Sequence, residues 1–408
     1  MYVKKISDYY SVSSLKNNIR ALLINYIVSF VILFSVTTIF QSLVDSISIN
    51  KIVGGLLAFV SGILFLLNPK VKSFFCIVYF VINALFSIVI TADTSIEIND
   101  FIFLIATVLM LIIMSDQRNS EMFLKAMRKR VGIINFTVII ECMVLGYLLL
   151  SQTGYAYHWG NGRYFLGLCN SQHTMASVAC LIIAFILFLA VENKHVVFYG
   201  LMALIPAYTI FETGARVFLI PLSILFLLFV KIGFSKRYIR TIIYFAGILF
   251  AIFLLINSTM MNKLSFVFNN SYTSNAASAF TSGRSEFWKT DMELYLSGNP
   301  IQLLLGRTFE TVYSTNLKSV NMNIWAHNDI IHLLVGTGLI GALEYIGVVY
   351  SAISWIKNKI DNRKKYFLMV IYIILPMLLN GFFTYQHFLY SFVILYIVVL
   401  PEKAGGLS

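Results

Sequence analysis

Apolar runs of membrane-crossing length recur from residue 19 to residue 400 and leave room for little else. They fall near 19–41, 49–67, 71–91, 98–115, 131–151, 172–191, 196–212, 216–231, 239–257, 338–356, 366–381 and 385–400. A helix needs about 20 residues to cross about 30 Å of hydrocarbon, so these runs predict about twelve transmembrane helices. The last two are short, and if Asn380-Gly381 bends one helix instead of joining two, the count is eleven. A chain 59% hydrophobic and 12% charged is too apolar for a soluble domain, whose charged share lies near about a quarter. The expected fold class is therefore an all-α polytopic membrane protein, with residues 1–408 forming a single integral membrane domain.

Orientation follows from the basic residues, because Lys and Arg resist translocation. With the N-terminus inside, the inward loops hold 22 of the 30 Lys and Arg, including Lys4, Lys5, the block Arg118 to Arg130, and Lys357 to Lys365. Both termini are expected to be cytoplasmic. The first 20 residues lack an apolar core followed by a small-residue cleavage site, so the first helix is expected to remain as an anchor. The net charge of +12 is then a topological signal, and no nucleic-acid partner is needed to explain it. Cys76, Cys142 and Cys180 lie in apolar runs and read as buried free thiols. Cys169 lies nearer a polar loop, and no cysteine or histidine spacing suggests a metal.

Two outward segments are substantial: about 152–172, and a long polar stretch at 258–337 between the ninth and tenth helices. Long ordered loops in compact folds are usually functional, so chemistry is expected on this face. Tyr155, Tyr157, Trp159, Tyr164 and Trp325 crowd the two segments, either as an interfacial belt or as platforms for sugar rings. Half of the eight outward cations are arginines, whose guanidinium forks onto phosphate oxygens. Arg216 sits in the turn Glu212-Thr-Gly-Ala-Arg216, between runs containing Pro206 and Pro221. It reads as a phosphate ligand; the competing reading is an arginine that snorkels or pairs with Glu212. Arg284 follows Thr281-Ser-Gly and opens a pattern, Phe287, Trp288, Met292 and Leu296, that suits a short helix on the membrane surface. The alternative for Arg284 is a structural salt bridge.

His327 and Asn328 stand where the long loop meets the membrane, followed nine residues later by Gly338-Leu-Ile-Gly341. An imidazole titrates near neutrality and can take a proton from an attacking hydroxyl, while Asn328 beside it can orient a substrate. The spaced glycines suit a short helix packed closely before the next span. His332 is expected to pack or cap, and Glu141 and Glu344, inside apolar runs, are candidates for structural hydrogen bonds as much as for a proton path. Nucleotide-binding, zinc-protease and nucleophile-elbow motifs are missing from the sequence, which disfavours an ATPase or nucleotide-sugar transferase.

These residues resemble the O-antigen polymerase and ligase superfamily, which includes Wzy-type polysaccharide polymerases and WaaL-like ligases. The His-Asn, nine residues, Gly-x-x-Gly signature is matched by His327, Asn328, Gly338 and Gly341. Thr213-Gly-Ala-Arg216 matches a Thr-x-Ser-Arg element with Ala215 in place of Ser, and Ser282-Gly-Arg284, Trp288, Asn299-Pro300 and Leu305-Gly306 match a further block. Asn170, in Arg163 to His173, matches part of a Gly-x-x-x-Asn-Pro-Asn element that lacks its Pro and second Asn here.

The resemblance implies a GT-C-like membrane glycosyltransferase of the bacterial plasma (inner) membrane with an extracytoplasmic active site, using no cofactor and no metal. Its donor would be an undecaprenyl-pyrophosphate-linked oligosaccharide. His327, Arg216 and Arg284 would be catalytic; Arg163, Asn170, Arg307 and Asn328 would bind substrate. A capsular or O-antigen polysaccharide polymerase, working beside a chain-length regulator and a flippase, is the leading expectation. An O-antigen ligase, transferring finished glycan to lipid A-core or another acceptor, is the first alternative. A lipid-linked oligosaccharide flippase or exporter is the second.

Overall fold

The computed structural model describes residues 12–43, 49–91, 94–158, 162–269, 283–360 and 362–399. Thr281, Ser282 and Trp159 lie outside the described residues. Six helices form the first half: α1 (Val12–Ile39), α2 (Ile49–Leu66), α3 (Val71–Ile90), α4 (Thr94–Met114), α5 (Gln117–Arg128) and α6 (Val131–Leu150). A hairpin of β1 (Tyr155–His158) and β2 (Gly162–Phe165) follows, with Tyr155 opposite Phe165. Next come α7 (Gln172–Asn193), α8 (Val196–Glu212), α9 (Leu219–Gly233), α10 (Arg237–Asn257) and α11 (Thr259–Asn269). The chain ends with α12 (Arg284–Leu296), α13 (Pro300–Leu305), α14 (Phe309–Val320), α15 (Asp329–Lys359), α16 (Arg363–Leu379) and α17 (Gln386–Val399).

Each apolar run of the sequence is helical. Among the described residues, eight helical segments are long and apolar enough to cross a membrane, and Lys51–Leu66, Val196–Glu212 and Gln386–Val399 are apolar but shorter. The protein is thus an all-α polytopic membrane protein in architecture. Helix α7 is its centre, buried along nearly its whole length and packed against α6, α8, α9 and α17. Ala176, Ser177, Ala179 and Ala184 on α7 let neighbouring backbones approach closely, which in lipid substitutes for a hydrophobic driving force. Helix α10 is its opposite: Leu254 is its one buried residue, and Ile242, Phe245, Ile248, Phe253 and Ile256 point outward as lipid-facing side chains do.

Two elements escaped the hydropathy pattern. The basic block after α4 is helix α5, capped by Asp116, whose carboxylate accepts from Arg118 N–H at 2.9 Å. Phe123, Ala126 and Met127 are buried while its charges remain at the rim. The 152–172 segment contains the hairpin, and its Tyr164 is buried rather than set in an outer belt.

Between α10 and α15 the chain builds a cap from α11 to α14. Asn299 and Gln302 form a capping box that starts α13 behind Pro300. The cap is locked to the bundle by glycine. Helix α15 breaks at Gly338, whose φ of 72° and ψ of −174° are accessible to glycine alone. A Cβ on Gly338 would stand 2.4 Å from Leu304 O, and one on Gly306 would stand 2.4 Å from Gly336 O. Backbone thus rests on backbone, and Arg307 N–H donates to Val335 O at 2.8 Å across the joint. A short helix, Asp329 to about Thr337, therefore precedes the membrane-length part of α15, as the glycine spacing predicts.

Candidate functional site

Helix α16 ends inside the protein, and its last carbonyls need partners. Arg284, first residue of α12, supplies one: Nη1 donates to Leu379 O and Nη2 to Asn380 Oδ1 at 3.2 Å. Asn328 supplies another, its Nδ2 donating to Leu378 O at 3.0 Å. The same Asn328 caps α15, its Oδ1 accepting from Ile330 N–H and Ile331 N–H. Its amide is committed to holding α15 against α16, so its contribution is to set the position of His327. Asp329 next to it accepts from Phe382 N–H (2.8 Å), Phe383 N–H (3.3 Å) and Tyr345 O–H (3.0 Å). The Asn380-Gly381 pair is consequently a turn between two helices.

His327 adopts a φ of 53°, the left-handed region that costs a non-glycine residue about 1–2 kcal/mol. Its ring lies 4.8 Å from Trp325 and 6.0 Å from His173, and Tyr385 stands 6.0 Å from His173 (ring centroids). Trp325 is buried against Gly381, where a Cβ would fall 2.1 Å from the indole. It is therefore part of the site wall, not an interfacial anchor. His327 Nδ1 is buried with no hydrogen-bond partner. Burial, with Arg284 and Lys263 nearby, holds the imidazole well below its usual range, so it is neutral at pH 7.

Arg216 reaches the same place from the α8–α9 turn. Gly214, at φ 64°, makes that turn, and Thr213 Oγ1 accepts from Ala215 N–H at 3.2 Å. Gln172, with its amide turned so that both ends are satisfied, donates to Thr213 O at 2.9 Å and accepts from Lys263 Nζ at 2.8 Å. Lys263, on α11, also lies 5.3 Å from the Tyr164 ring centroid. It was one of the eight outward cations and no sequence motif singles it out. Arg216, Lys263 and Arg284 are within electrostatic reach of one another. None of the three makes an ion pair with a described carboxylate. Arg216 Nη2 is buried and unbonded. Burial and then the two guanidiniums depress Lys263 from 10.5 to about 7, and burial with Arg216 lowers Arg284 to about 10. Three cations held together without a described counter-charge, with an unsatisfied guanidinium donor among them, can receive an anion of high charge density.

Other candidates lie apart from this cluster. Arg163 is exposed on β2, the strand alternation turning it away from Tyr164; its Nη2 donates to Gln152 O at 3.0 Å. Arg307 donates to Ser297 Oγ at 3.0 Å beside the cap joint. Asn170 is exposed next to Gln41. Arg284 takes a helix carbonyl end rather than a salt bridge, and Arg216 does not pair with Glu212, which accepts from Tyr155 O–H instead. Helix α12 buries Phe287 and packs on α14 and α15, with Trp288 Nε1 donating to Ala326 O at 2.9 Å, while Leu296 is exposed.

Beneath the site lies a buried polar layer. His332 Nε2 and Asp100 Oδ2 are 2.9 Å apart, Tyr313 O–H donates to the same oxygen at 3.2 Å, and the His332 ring stacks on Phe309 at 4.7 Å. Glu97 accepts from Glu310 N–H at 2.7 Å, fastening the cap to α4. Glu141, by contrast, accepts from Ser35 O–H at 2.7 Å in the bundle core, apart from this layer. No family model and no curated protein matches this chain.

Proposed function

We propose that the chain is a membrane glycosyltransferase that extends a polysaccharide, transferring the growing glycan from a polyprenyl pyrophosphate to the next lipid-linked repeat unit. The observation that carries this reading is the Arg216, Lys263 and Arg284 cluster, uncompensated by any described carboxylate and set beside the unbonded Nδ1 of His327. The twelve helical runs are read as twelve spans, with the basic ends cytoplasmic and the site at the outer face of a bacterial plasma membrane. A pyrophosphate is the dianion-rich group such a receptor fits, and membrane embedding suits a donor carried on a lipid.

In the proposed reaction an acceptor sugar hydroxyl attacks the anomeric carbon of the donor glycan. The new C–O bond forms as the bond from that carbon to the pyrophosphate oxygen breaks, and polyprenyl pyrophosphate departs with the electron pair. Guanidiniums fixed before the reaction stabilise the charge as it develops, without reorganising at that moment. The hydroxyl proton passes to His327 Nδ1. Burial and then the nearby cations keep this imidazole a weak base; a bound pyrophosphate offsets the cations and raises its proton affinity. Loading of the donor thereby strengthens the base. Asn328 and Asp329 act by holding the α15 and α16 ends in register.

A glycan ladder from cells carrying wild type or Arg284→Ala, with lipid-linked intermediates extracted alongside, tests the reading. Single repeat units on both carrier and surface identify a polymerase. Long chains accumulating on the carrier identify a ligase, and normal long surface glycan refutes the role of Arg284.

A further inference from the structure

At the end of the bundle opposite the site, α9, α10 and α16 line an open cavity of about 1060 Å³. It is lined at its mouth by Lys231, Arg237, Arg240, Arg363 and Lys364 and along its wall by apolar and aromatic groups, among them Tyr244 and Phe367. No described carboxylate lines it. Lys364, Lys365 and Arg240 stand close enough to Lys231 to repel its charge. Lys231 Nζ finds relief in Asn362 Oδ1 at 2.9 Å, and that same oxygen caps α16 by accepting from Lys364 N–H and Lys365 N–H. The head groups of Arg237, Arg240, Arg363 and Lys364 have no partner among the described residues. Helices α10 and α16 both begin here, so two positive helix ends add to the five cations. Above the mouth the cavity runs along α10, whose side chains beyond it are exposed and apolar.

We infer that this cavity is a binding site for one anionic phospholipid, its phosphate at Lys231, Arg240 and Lys364 and its acyl chains along α10. Positive charge near the ends of membrane helices arises in any polytopic protein, but here it converges on a concave, apolar-walled space that matches a lipid's polarity. The site is separate from the proposed pyrophosphate receptor and does not depend on the catalytic reading. Lys and Arg near an anionic membrane surface each contribute roughly fivefold in affinity, so removing three weakens binding by about a hundredfold.

The test uses the purified full chain in detergent, with dioleoylphosphatidylglycerol, dioleoylphosphatidylcholine and inorganic phosphate as probes. Lipid retention is read by native mass spectrometry and stabilisation by thermal unfolding. The expected result is retention of phosphatidylglycerol in preference to phosphatidylcholine, and its loss in the triple variant Lys231→Gln/Arg240→Gln/Lys364→Gln. Thr241→Trp, which sets an indole between the cations and the apolar wall and keeps every charge, should weaken it as well. Wild-type retention in Thr241→Trp would show a diffuse basic surface and overturn the proposal. Stabilisation by inorganic phosphate equal to that by phosphatidylglycerol would overturn it too, assigning the cations to a free anion.

Discussion

Lys263→Met tests whether the three cations are held together against their own repulsion. Folded, the lysine lies at about 7 because of burial and the neighbouring Arg284 and Arg216; unfolded, it returns to 10.5. Between those values the unfolded chain binds the extra proton, so this residue makes stability rise with pH across the window of about 7 to 10.5. Below about 7 the lysine is charged in both states and the full cost of the cluster is borne. At about 1.4 kcal/mol per pH unit the fall sets an upper bound of roughly 5 kcal/mol. Water at the site and an effective dielectric near about 20 reduce this to roughly 1–2 kcal/mol. Methionine preserves length and contact with Tyr164 but carries no charge. Wild type should therefore gain about 1 kcal/mol on the variant between pH 6.5 and 9, on the order of 2 °C in melting temperature. Inorganic pyrophosphate should reverse the pattern, stabilising wild type most at pH 6.5 and the variant less. Thermal unfolding of both proteins in detergent, with and without pyrophosphate, reads these differences. A gap between the two proteins that does not move with pH, together with equal stabilisation by pyrophosphate, would refute the reasoning.

Gly338→Ala should cost at least about 3 kcal/mol, since it forces alanine into a glycine-only conformation and its Cβ onto the α13 backbone. Gly347→Ala, with nothing within 4 Å of the new methyl, should be near neutral, and gel filtration of the two variants separates the cases. Asp100→Ala removes the acceptor of both His332 and Tyr313 and should cost about 2–4 kcal/mol, measured as a lowered melting temperature. Lys318→Ala, on an exposed turn of α14, should leave stability within about 0.5 kcal/mol and glycan length unchanged.

Hydropathy located the helices well because a lipid-facing or core helix must be apolar over its length, whatever it packs against. The Gly338 break was also readable, since a glycine so close to His327-Asn328 had to serve backbone approach. Arg216 was found in a turn between spans and Arg284 at the head of a helix pattern outside them, and they do converge. Lys263 was passed over because a single lysine after a span carries no local pattern; its meaning comes from Gln172 and Tyr164, about ninety or more residues earlier. The Asp100–His332 pair was hidden for the same reason. It joins residues 232 apart in sequence, and Asp100 sits at the edge of an apolar run where a solvated end is the usual reading. Asn328 was legible as an important residue, but its use as a cap and clamp depends on where α16 ends, which no spacing within its own segment encodes.

The most direct measurement is transfer by the purified protein given single repeat units on polyprenyl pyrophosphate. Wild type should lengthen the glycan and release one polyprenyl pyrophosphate for each linkage formed, while His327→Ala remains folded and forms no linkage. Chains of wild-type length from His327→Ala, or no pyrophosphate-linked donor consumed by wild type, would contradict the account.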